Sequence, residues 1–163
     1  YRSQALELID FSNQYFYDNK LQLLPDRNLL NALEPGIQFH RVQGIWEKHS
    51  NQVEAEKVVE LVEQFLETDP TKQIGIVTFN APQQLLILEL LEERLQGRAW
   101  PSSLMVKNIE NVQGDEKDII IFSIGYAPDK QGRFQMLFGS LSLPGGENRL
   151  NVAVTRAREK VVV

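Results

Sequence analysis

The stretch that decides the fold is IGIVTF at residues 74–79, followed by NAPQQLLILELLEERLQ at residues 80–96. The first segment is apolar and β-branched without alternation, which predicts a strand buried on both faces. The second is rich in leucine, has Pro82 at a favoured position of the first turn and is followed by Gly97, which predicts a helix ending there. A buried strand followed directly by a helix is the repeating unit of a parallel sheet.

The same alternation extends from this stretch in both directions. Upstream, Asn51 and Glu54 have the spacing of a helix cap and its partner, and apolar residues at helical spacing follow them. The remaining predicted elements are a helix at residues 3–17 with Ser3 as its cap, a loop at 20–36, a short strand at 37–43, strands at 104–106 and 118–123, a loop at 127–146, a helix at 148–158 and a strand from 161. We therefore expect an α/β fold, a mainly parallel sheet with helices on both faces.

The composition excludes several classes of site. With 163 residues and 42% apolar residues, the chain fits one globular domain. The absence of cysteine excludes disulfides, thiolate metal sites and a cysteine nucleophile, and two histidines (His40 and His49) do not form a histidine metal site, so no metal ligands are predicted. A net charge of −5 argues against binding nucleic acid by bulk electrostatics.

Neither a membrane-spanning run nor a signal peptide is present in the sequence. We expect a cytoplasmic location, or a nuclear one in a eukaryote, with no secretion and no membrane partner. The chain starts without methionine and stops at Val163 inside an apolar run. We therefore expect residues 1–163 to be one domain excised from a longer chain.

The densest group of functional side chains is GENRLNVAVTRAR at residues 146–158. If this stretch is helical throughout, Arg149 and Arg156 share one face and Arg158 lies on another. Arginines backed by small residues make a rigid support for binding anions. The alternative interpretation is a solvated basic helix face.

This stretch resembles the sixth motif of superfamily 1 helicases, and other segments match that family in the same order. The segment after the third motif is resembled by Tyr1-Arg2 followed by Phe16-Tyr17 and Lys20-Leu21. The fourth motif is resembled by IGIVTFNAPQ at residues 74–83, and the fifth by residues 106–118 with the core QGDEKD. The similarity spans nearly the whole chain and favours the branch that contains the nonsense-mediated-decay and Okazaki-processing helicases. It implies the C-terminal RecA-like domain of such a motor, without a Walker A motif of its own; no GxxxxGK[ST] phosphate loop is present in the sequence.

On the nucleotide side, the resemblance implies that ATP and Mg²⁺ are held mainly by the N-terminal RecA-like domain of the same longer chain. Arg2 and Arg156 would then be arginine fingers that stabilise the transferring phosphoryl group. Glu116 would accept the ribose hydroxyls, since a carboxylate offers only acceptors. Gly114 and Arg149 are also assigned to nucleotide binding. For Glu116 the alternative is an exposed loop acid.

On the nucleic-acid side, Thr78, Asn80 and Gln83 follow the carboxyl end of a predicted strand, where open parallel sheets bind ligands. Neutral donors at that position, with Gln113 and Gly114, would contact single-stranded DNA or RNA without reading its sequence. Each residue has a structural alternative: Thr78 is a strand-end hydroxyl, and Asn80 caps a helix.

Three further side chains bear on this predicted interface. Trp46 and Trp100 could stack on bases, but packing is the favoured interpretation. Asp115 stands where the helicase family commonly has a basic residue, so it adds negative charge near the strand.

The predicted function is that of the second motor domain of an ATP-dependent helicase or translocase, inactive as an isolated chain. The alternative is a helicase-derived nucleic-acid-binding or regulatory module without translocation activity. A flavodoxin-like regulator is disfavoured because no glycine-rich phosphate loop follows the first strand.

Overall fold

The computed structural model describes residues 3, 5–21, 35–96, 99–112, 114–135 and 138–163. The helices and strands in this part of the chain are α1 (Leu6–Phe16), β1 (Ile37–Gln38), α2 (Gln52–Thr68), β2 (Ile74–Thr78), α3 (Ala81–Leu95), β3 (Leu104–Asn108), β4 (Lys117–Ser123), α4 (Gly146–Val154) and β5 (Ala157–Val162). Two short 3₁₀ helices lie at Ile109–Asn111 and Gly139–Ser142. None of the described helices has the length and apolar character needed to cross a membrane.

The five described strands form one parallel sheet in the order β1-β5-β4-β2-β3. Thr78, the last residue of β2, lies opposite Ser123 of β4 and Asn108 of β3, and these strand ends define the carboxyl edge of the sheet. Lys117 and Ala157 are paired at the opposite, amino edge. The connection after β2 runs to β3 on one side of the sheet, whereas the connection after β4 runs to β5 on the other side. The topological switch point therefore lies between the neighbouring strands β2 and β4.

Helices cover both faces of the sheet and enclose two apolar cores. Ile119 and Ile121 of β4 face the core formed with α2 and α3. The alternate residues, Ile120 and Phe122, face the core formed with α1 and α4. This arrangement confirms the predicted α/β fold with a parallel sheet and helices on both faces.

The two helices that flank β2 begin where the sequence predicts. The Asn51 side chain accepts a hydrogen bond from the Glu54 N–H at 3.2 Å, which caps α2. Asn80 caps α3 in the same way, accepting from the Gln83 N–H at 2.8 Å. Local side-chain-to-backbone bonds therefore fix the start of both helices.

The predicted helix at residues 148–158 is wrong at its C-terminal end. Helix α4 ends at Val154, Arg156 follows in a turn, and Arg158 belongs to β5. Arg149 and Arg156 consequently do not share a helix face. The reason is tertiary: the Lys117 N–H donates to the Arg156 carbonyl at 3.0 Å, and the pairing of β5 with β4 overrides the helical pattern.

Other boundaries also differ from the prediction. Ser3 does not cap α1; Ala5 occupies the cap position, and the Ser3 hydroxyl donates to the Ala157 carbonyl at 2.9 Å. Only Ile37–Gln38 of the strand predicted at residues 37–43 joins the sheet. Most of the loop predicted at 20–36 lies outside the described residues.

Candidate functional site

One group of predicted residues lies together at the amino edge of the sheet. Glu116 immediately precedes β4, and its neighbour Lys117 bonds to the Arg156 carbonyl. The Arg158 Nε atom lies 3.6 Å from Glu116 Oε2, and the Glu116 side chain is only 15% exposed. Glu116 therefore pairs with the Arg158 side chain and lies next to the Arg156 backbone, although the sequence placed the two arginines on different helix faces. Arg2 lies outside the described residues.

Arg158 also pairs with a second carboxylate. Its Nη1 atom lies 3.5 Å from Asp118 Oδ1, and Asp118 Oδ2 accepts a hydrogen bond from the Gln73 N–H at 2.9 Å. Next to Arg158 in the chain, Glu159 forms a separate ion pair with Lys72 and raises the pKa of that lysine. The amino edge thus carries interleaved charges of both signs.

Arg156 lies over the C-terminal end of α4. Its Nε donates to the Val152 carbonyl at 3.1 Å, and its Nη2 lies 3.5 Å from Thr155 Oγ1. A guanidinium at this position satisfies a terminal carbonyl and suits the negative end of the helix dipole. The side chain is half-buried, so the arginine is held by the helix end while remaining partly accessible from solvent.

Two other residues assigned to the nucleotide side lie differently. Arg149 is exposed on α4 and lines a shallow cavity of about 230 Å³ with residues of the 109–112 segment. Gly114 is exposed with φ +96°, and a Cβ there would meet no atom within 4 Å. The backbone conformation, not packing, therefore favours glycine at this position. Asp115, which follows Gly114, pairs with Lys107, and this contact lowers the Asp115 pKa. The lysine thereby compensates the negative charge that Asp115 adds near the predicted nucleic-acid interface.

The second group of predicted residues lies at the carboxyl edge, beside the switch point. Thr78 is fully buried, and its hydroxyl donates to the Asn80 carbonyl at 3.0 Å. The Asn80 side chain caps α3 through its oxygen, while its Nδ2 is buried and has no hydrogen-bond partner among the described residues. Thr78 and Asn80 thus have the structural contacts that the alternative interpretation gives them. Gln113 lies outside the described residues.

Gln83 is the centre of a buried polar network. Its Oε1 accepts from the Asn51 N–H at 2.7 Å, and its Nε2 donates to the Asn51 carbonyl at 3.2 Å and to Ser123 Oγ at 3.0 Å. Ser123 Oγ in turn donates to Glu54 Oε1 at 2.8 Å, and the Gly125 N–H donates to the same oxygen at 2.8 Å. Because the Gln83 side chain is fully buried and its amide is used within the protein, it is not available for the predicted contact with nucleic acid.

Most of this network is not predicted from the sequence. The spacing of Asn51 and Glu54 predicts only a helix cap, whereas the Glu54 carboxylate also accepts hydrogen bonds from Ser123 and Gly125 at the end of β4. One signal was present: the apolar strands β2 and β4 each end on a hydroxyl residue, Thr78 and Ser123. Hydroxyls at neighbouring strand ends indicate a polar cluster at the carboxyl edge.

The tryptophans have packing contacts. The Trp46 ring lies 5.0 Å from the Tyr126 ring and 6.1 Å from the His49 ring, measured between centroids. Trp100 donates its indole N–H to the Leu104 carbonyl at 3.2 Å. These contacts agree with the packing interpretation of both side chains.

Burial raises the pKa of Glu54 above its ordinary value of 4.5, although the hydrogen bonds from Ser123 and Gly125 oppose this shift. A raised pKa means that the folded domain binds this proton more tightly than the unfolded chain does. The stabilisation from Glu54 is therefore complete below its ordinary pKa and is lost as the pH rises through the raised pKa.

We expect Glu54→Gln to gain free energy of unfolding relative to the wild type as the pH rises through this window, because the amide does not titrate. Urea denaturation of both proteins at intervals from about pH 4 to about pH 8 measures this difference. Glu56→Gln, at an exposed position of the same helix, makes the same change in net charge and serves as the control. A difference between Glu54→Gln and wild type that does not vary with pH would contradict the expectation.

The parallel sheet, the helices on both faces and the four motif-like segments define a RecA-like domain of the helicase type. A family described as AAA domain matches residues 1–163, and the chain belongs to this family. An uncharacterized ATP-dependent helicase of Mycoplasma genitalium is 42% identical over 99% of this chain. Helicase sen1 of Schizosaccharomyces pombe is 31% identical over 96% of it, and a regulator of nonsense transcripts 1 homolog of Drosophila melanogaster is 27% identical over 96%.

Among solved structures, the C-terminal domain of a possible DNA helicase from Lactobacillus plantarum has a similar fold. The TM-score is 0.55 at 14% identity, with 99% of this chain and 84% of the other covered. Together with the relatives, this similarity confirms the predicted helicase C-terminal RecA-like domain. The chain spans 15% of the Mycoplasma helicase, 14% of the Drosophila protein and 10% of the yeast helicase.

Proposed function

We propose that this chain is the second motor domain of an ATP-dependent helicase or translocase. The observation that carries the proposal is the group at the amino edge, in which Glu116 pairs with the Arg158 side chain and Lys117 bonds to the Arg156 backbone. These residues come from the two segments that resemble the fifth and sixth helicase motifs. The relative named as an ATP-dependent helicase matches nearly the whole chain, which supports the same assignment.

The residues of this group have the chemistry that ATP hydrolysis requires from a second domain. The Arg156 guanidinium keeps its positive charge and presents a planar fork of donors, which stabilises charge that develops on the transferring phosphoryl group. The Glu116 carboxylate accepts hydrogen bonds from ribose hydroxyls. Arg2 is the second proposed finger; the next residue, Ser3, is buried and bonds to the Ala157 carbonyl, next to Arg156 in the chain.

The chain supplies only part of the nucleotide site. Its sequence has no phosphate loop, and no three His, Asp or Glu side chains among the described residues are grouped as metal ligands. We therefore assign the triphosphate and Mg²⁺ to the N-terminal RecA-like domain of the same longer protein. When bound there, Mg²⁺ neutralises phosphate charge; the residues of this chain contribute arginine donors and the ribose acceptor.

For nucleic acid, we assign the carboxyl edge to contacts with a single strand of DNA or RNA. The Asn80 Nδ2 group follows β2 and is a neutral donor of the kind that contacts phosphate oxygens without reading sequence. It is buried without a partner among the described residues, so a phosphate oxygen reaches it only when the side chains around it move aside. Thr78 and Gln83 act indirectly. The Thr78 hydroxyl bonds to the Asn80 carbonyl, and the Gln83 backbone N–H donates to the Asn80 side-chain oxygen. Gln113 and the Gly114 backbone remain proposed contacts.

In the longer protein, we expect ATP hydrolysis to be faster in the presence of single-stranded nucleic acid. Steady-state turnover, measured without nucleic acid, with single-stranded DNA and with single-stranded RNA, tests this. The isolated 163-residue chain is expected to hydrolyse no ATP and to bind a single strand weakly, with an affinity that falls as salt rises.

The alternative function makes a different forecast for the same measurements. A helicase-derived binding module would bind single strands but would show no stimulated turnover, even with an intact phosphate loop in the longer protein. That result would overturn the motor proposal. ATP hydrolysis by the isolated 163-residue chain that disappears in Arg156→Ala would overturn the assignment of the triphosphate to another domain.

A further inference from the structure

We infer that Arg158 is a positioning residue, which holds the Glu116 carboxylate in place for the ribose of ATP and thereby sets the preference for ATP over 2′-deoxy-ATP. The inference rests on the proposed function, because it takes Glu116 as the ribose acceptor. The resemblance to helicases gives Arg158 no role at the ribose. The role follows from the contacts of this side chain.

The Arg158 guanidinium lies between two carboxylates of the neighbouring chain segment. Its Nε is 3.6 Å from Glu116 Oε2, and its Nη1 is 3.5 Å from Asp118 Oδ1. Glu116 immediately precedes β4, and Asp118 is the second residue of that strand. Residues two apart along an extended chain project to the same side. A single guanidinium therefore bridges two like charges.

The burial of the three side chains makes this bridge important for the orientation of Glu116. The Glu116 and Asp118 side chains are 15% and 17% exposed, whereas Arg158 is 40% exposed. Carboxylates with so little solvent are stabilised mainly by nearby cations and donors. Without the guanidinium, the Glu116 and Asp118 carboxylates repel each other. Glu116 then turns away from its present position, because it lies just outside β4 whereas Asp118 is held within the strand.

The position of Arg158 itself is fixed by the backbone. Arg158 lies in β5 between Ala157 and Lys160, which pair with Lys117 and Ile119 of β4 on either side of a register shift. The Ser3 hydroxyl lies within hydrogen-bond distance of the Ala157 and Arg158 carbonyls, at 2.9 and 3.3 Å. The arginine therefore projects from a fixed point. A carboxylate has about four acceptor positions on its two oxygens, so it can bind a guanidinium and further donors at the same time.

The test is the ratio of KM for 2′-deoxy-ATP to KM for ATP in the longer protein. The 2′-hydroxyl is the only group that differs between these substrates, so the ratio reports the ribose contact. We expect Glu116→Ala and Arg158→Ala each to lower the ratio by about three- to tenfold, as for loss of one charge-assisted hydrogen bond, with little change in kcat. Arg158→Lys is expected to fall between wild type and Arg158→Ala, since lysine keeps the charge but loses the fork.

A double variant and a matched control make the test specific. Glu116→Ala combined with Arg158→Ala should lower the ratio no further than Glu116→Ala alone, because the arginine acts through the carboxylate. Glu159→Ala removes the adjacent ion pair with Lys72 in the same strand and should leave the ratio unchanged. Each ratio is measured within one variant, so a reduced folded fraction cancels.

The outcomes separate the inference from the proposed function. A ratio that changes in Glu116→Ala but not in Arg158→Ala overturns the positioning role, as do additive effects in the double variant. A wild-type protein that uses both nucleotides equally well, or a ratio unchanged in Glu116→Ala, overturns the ribose assignment and the inference with it. A longer protein without any ATP hydrolysis overturns the proposed function itself.

Discussion

Replacing Arg156 by alanine in the longer protein is expected to lower kcat for ATP by about 10³-fold or more, with little change in KM. An arginine finger interacts most strongly with charge that develops in the transition state, so its loss appears in turnover and not in binding. Arg2→Ala is expected to have the same signature. Steady-state ATP hydrolysis with saturating single-stranded nucleic acid measures both effects.

Arg156 also bonds to the Val152 carbonyl at the end of α4, so its removal has a structural component. Arg156→Lys separates the two roles: it keeps the positive charge at the helix end but loses the planar fork, and its turnover is expected to stay low. Arg94→Ala is the matched control, since Arg94 is an exposed arginine of α3 paired with Glu63. Near wild-type turnover in Arg156→Ala and Arg2→Ala, with a phosphate-loop lysine variant inactive, would show that the fingers are assigned wrongly.

Replacing Gln83 by alanine is expected to lower the free energy of unfolding by about 3 kcal/mol, because each buried polar group left without a partner costs about 1–3 kcal/mol. The substitution removes the acceptor of the buried Asn51 N–H and one partner each of the Asn51 carbonyl and Ser123 Oγ. The carbonyl keeps its bond from the Ala55 N–H at 3.0 Å, so the N–H is the group left unpaired. Urea denaturation of the 163-residue chain measures the loss. The effect is large for one polar residue because a single amide closes the network.

Gln84→Ala is the matched control for this substitution. Gln84 is the next residue of α3, half-buried, with a side-chain hydrogen bond to the Val106 carbonyl at 3.1 Å. Its replacement is expected to cost about 1 kcal/mol. The opposite pattern, in which Gln83→Ala keeps its stability but binds a single strand more weakly, would mean that Gln83 contacts nucleic acid directly.

The parts of the fold that depend on local chemistry were predictable from the sequence. The apolar runs of β2 and β4, the Asn51 and Asn80 caps and the helices after them are specified within a few residues. The end of α4 was not predictable, because Thr155 and Arg156 continue a helical pattern and only pairing with β4 ends it. Periodicity contains no information on a partner strand that lies elsewhere in the chain.

The candidate site shows the same division. Motif resemblance selected Glu116 and Arg156, which the structure places together. It also selected Gln83 as a contact, although a glutamine after a strand is equally suited to bond within the protein, and its partner Asn51 is 32 residues away in the chain. The Arg158–Glu116 ion pair was missed because it depends on Arg158 being in a strand.

Strand β4 connects the two groups of candidate residues directly, from Lys117 beside Glu116 to Ser123 beside Gln83. Its seven residues span about 23 Å. Strands pair with β4 on both sides, and Ile119 to Phe122 are buried, so β4 does not slide or stretch without breaking the sheet. A strand of this stiffness transmits a rotation but not an extension, so a tilt of about 10° at one end would move the other end by about 4 Å.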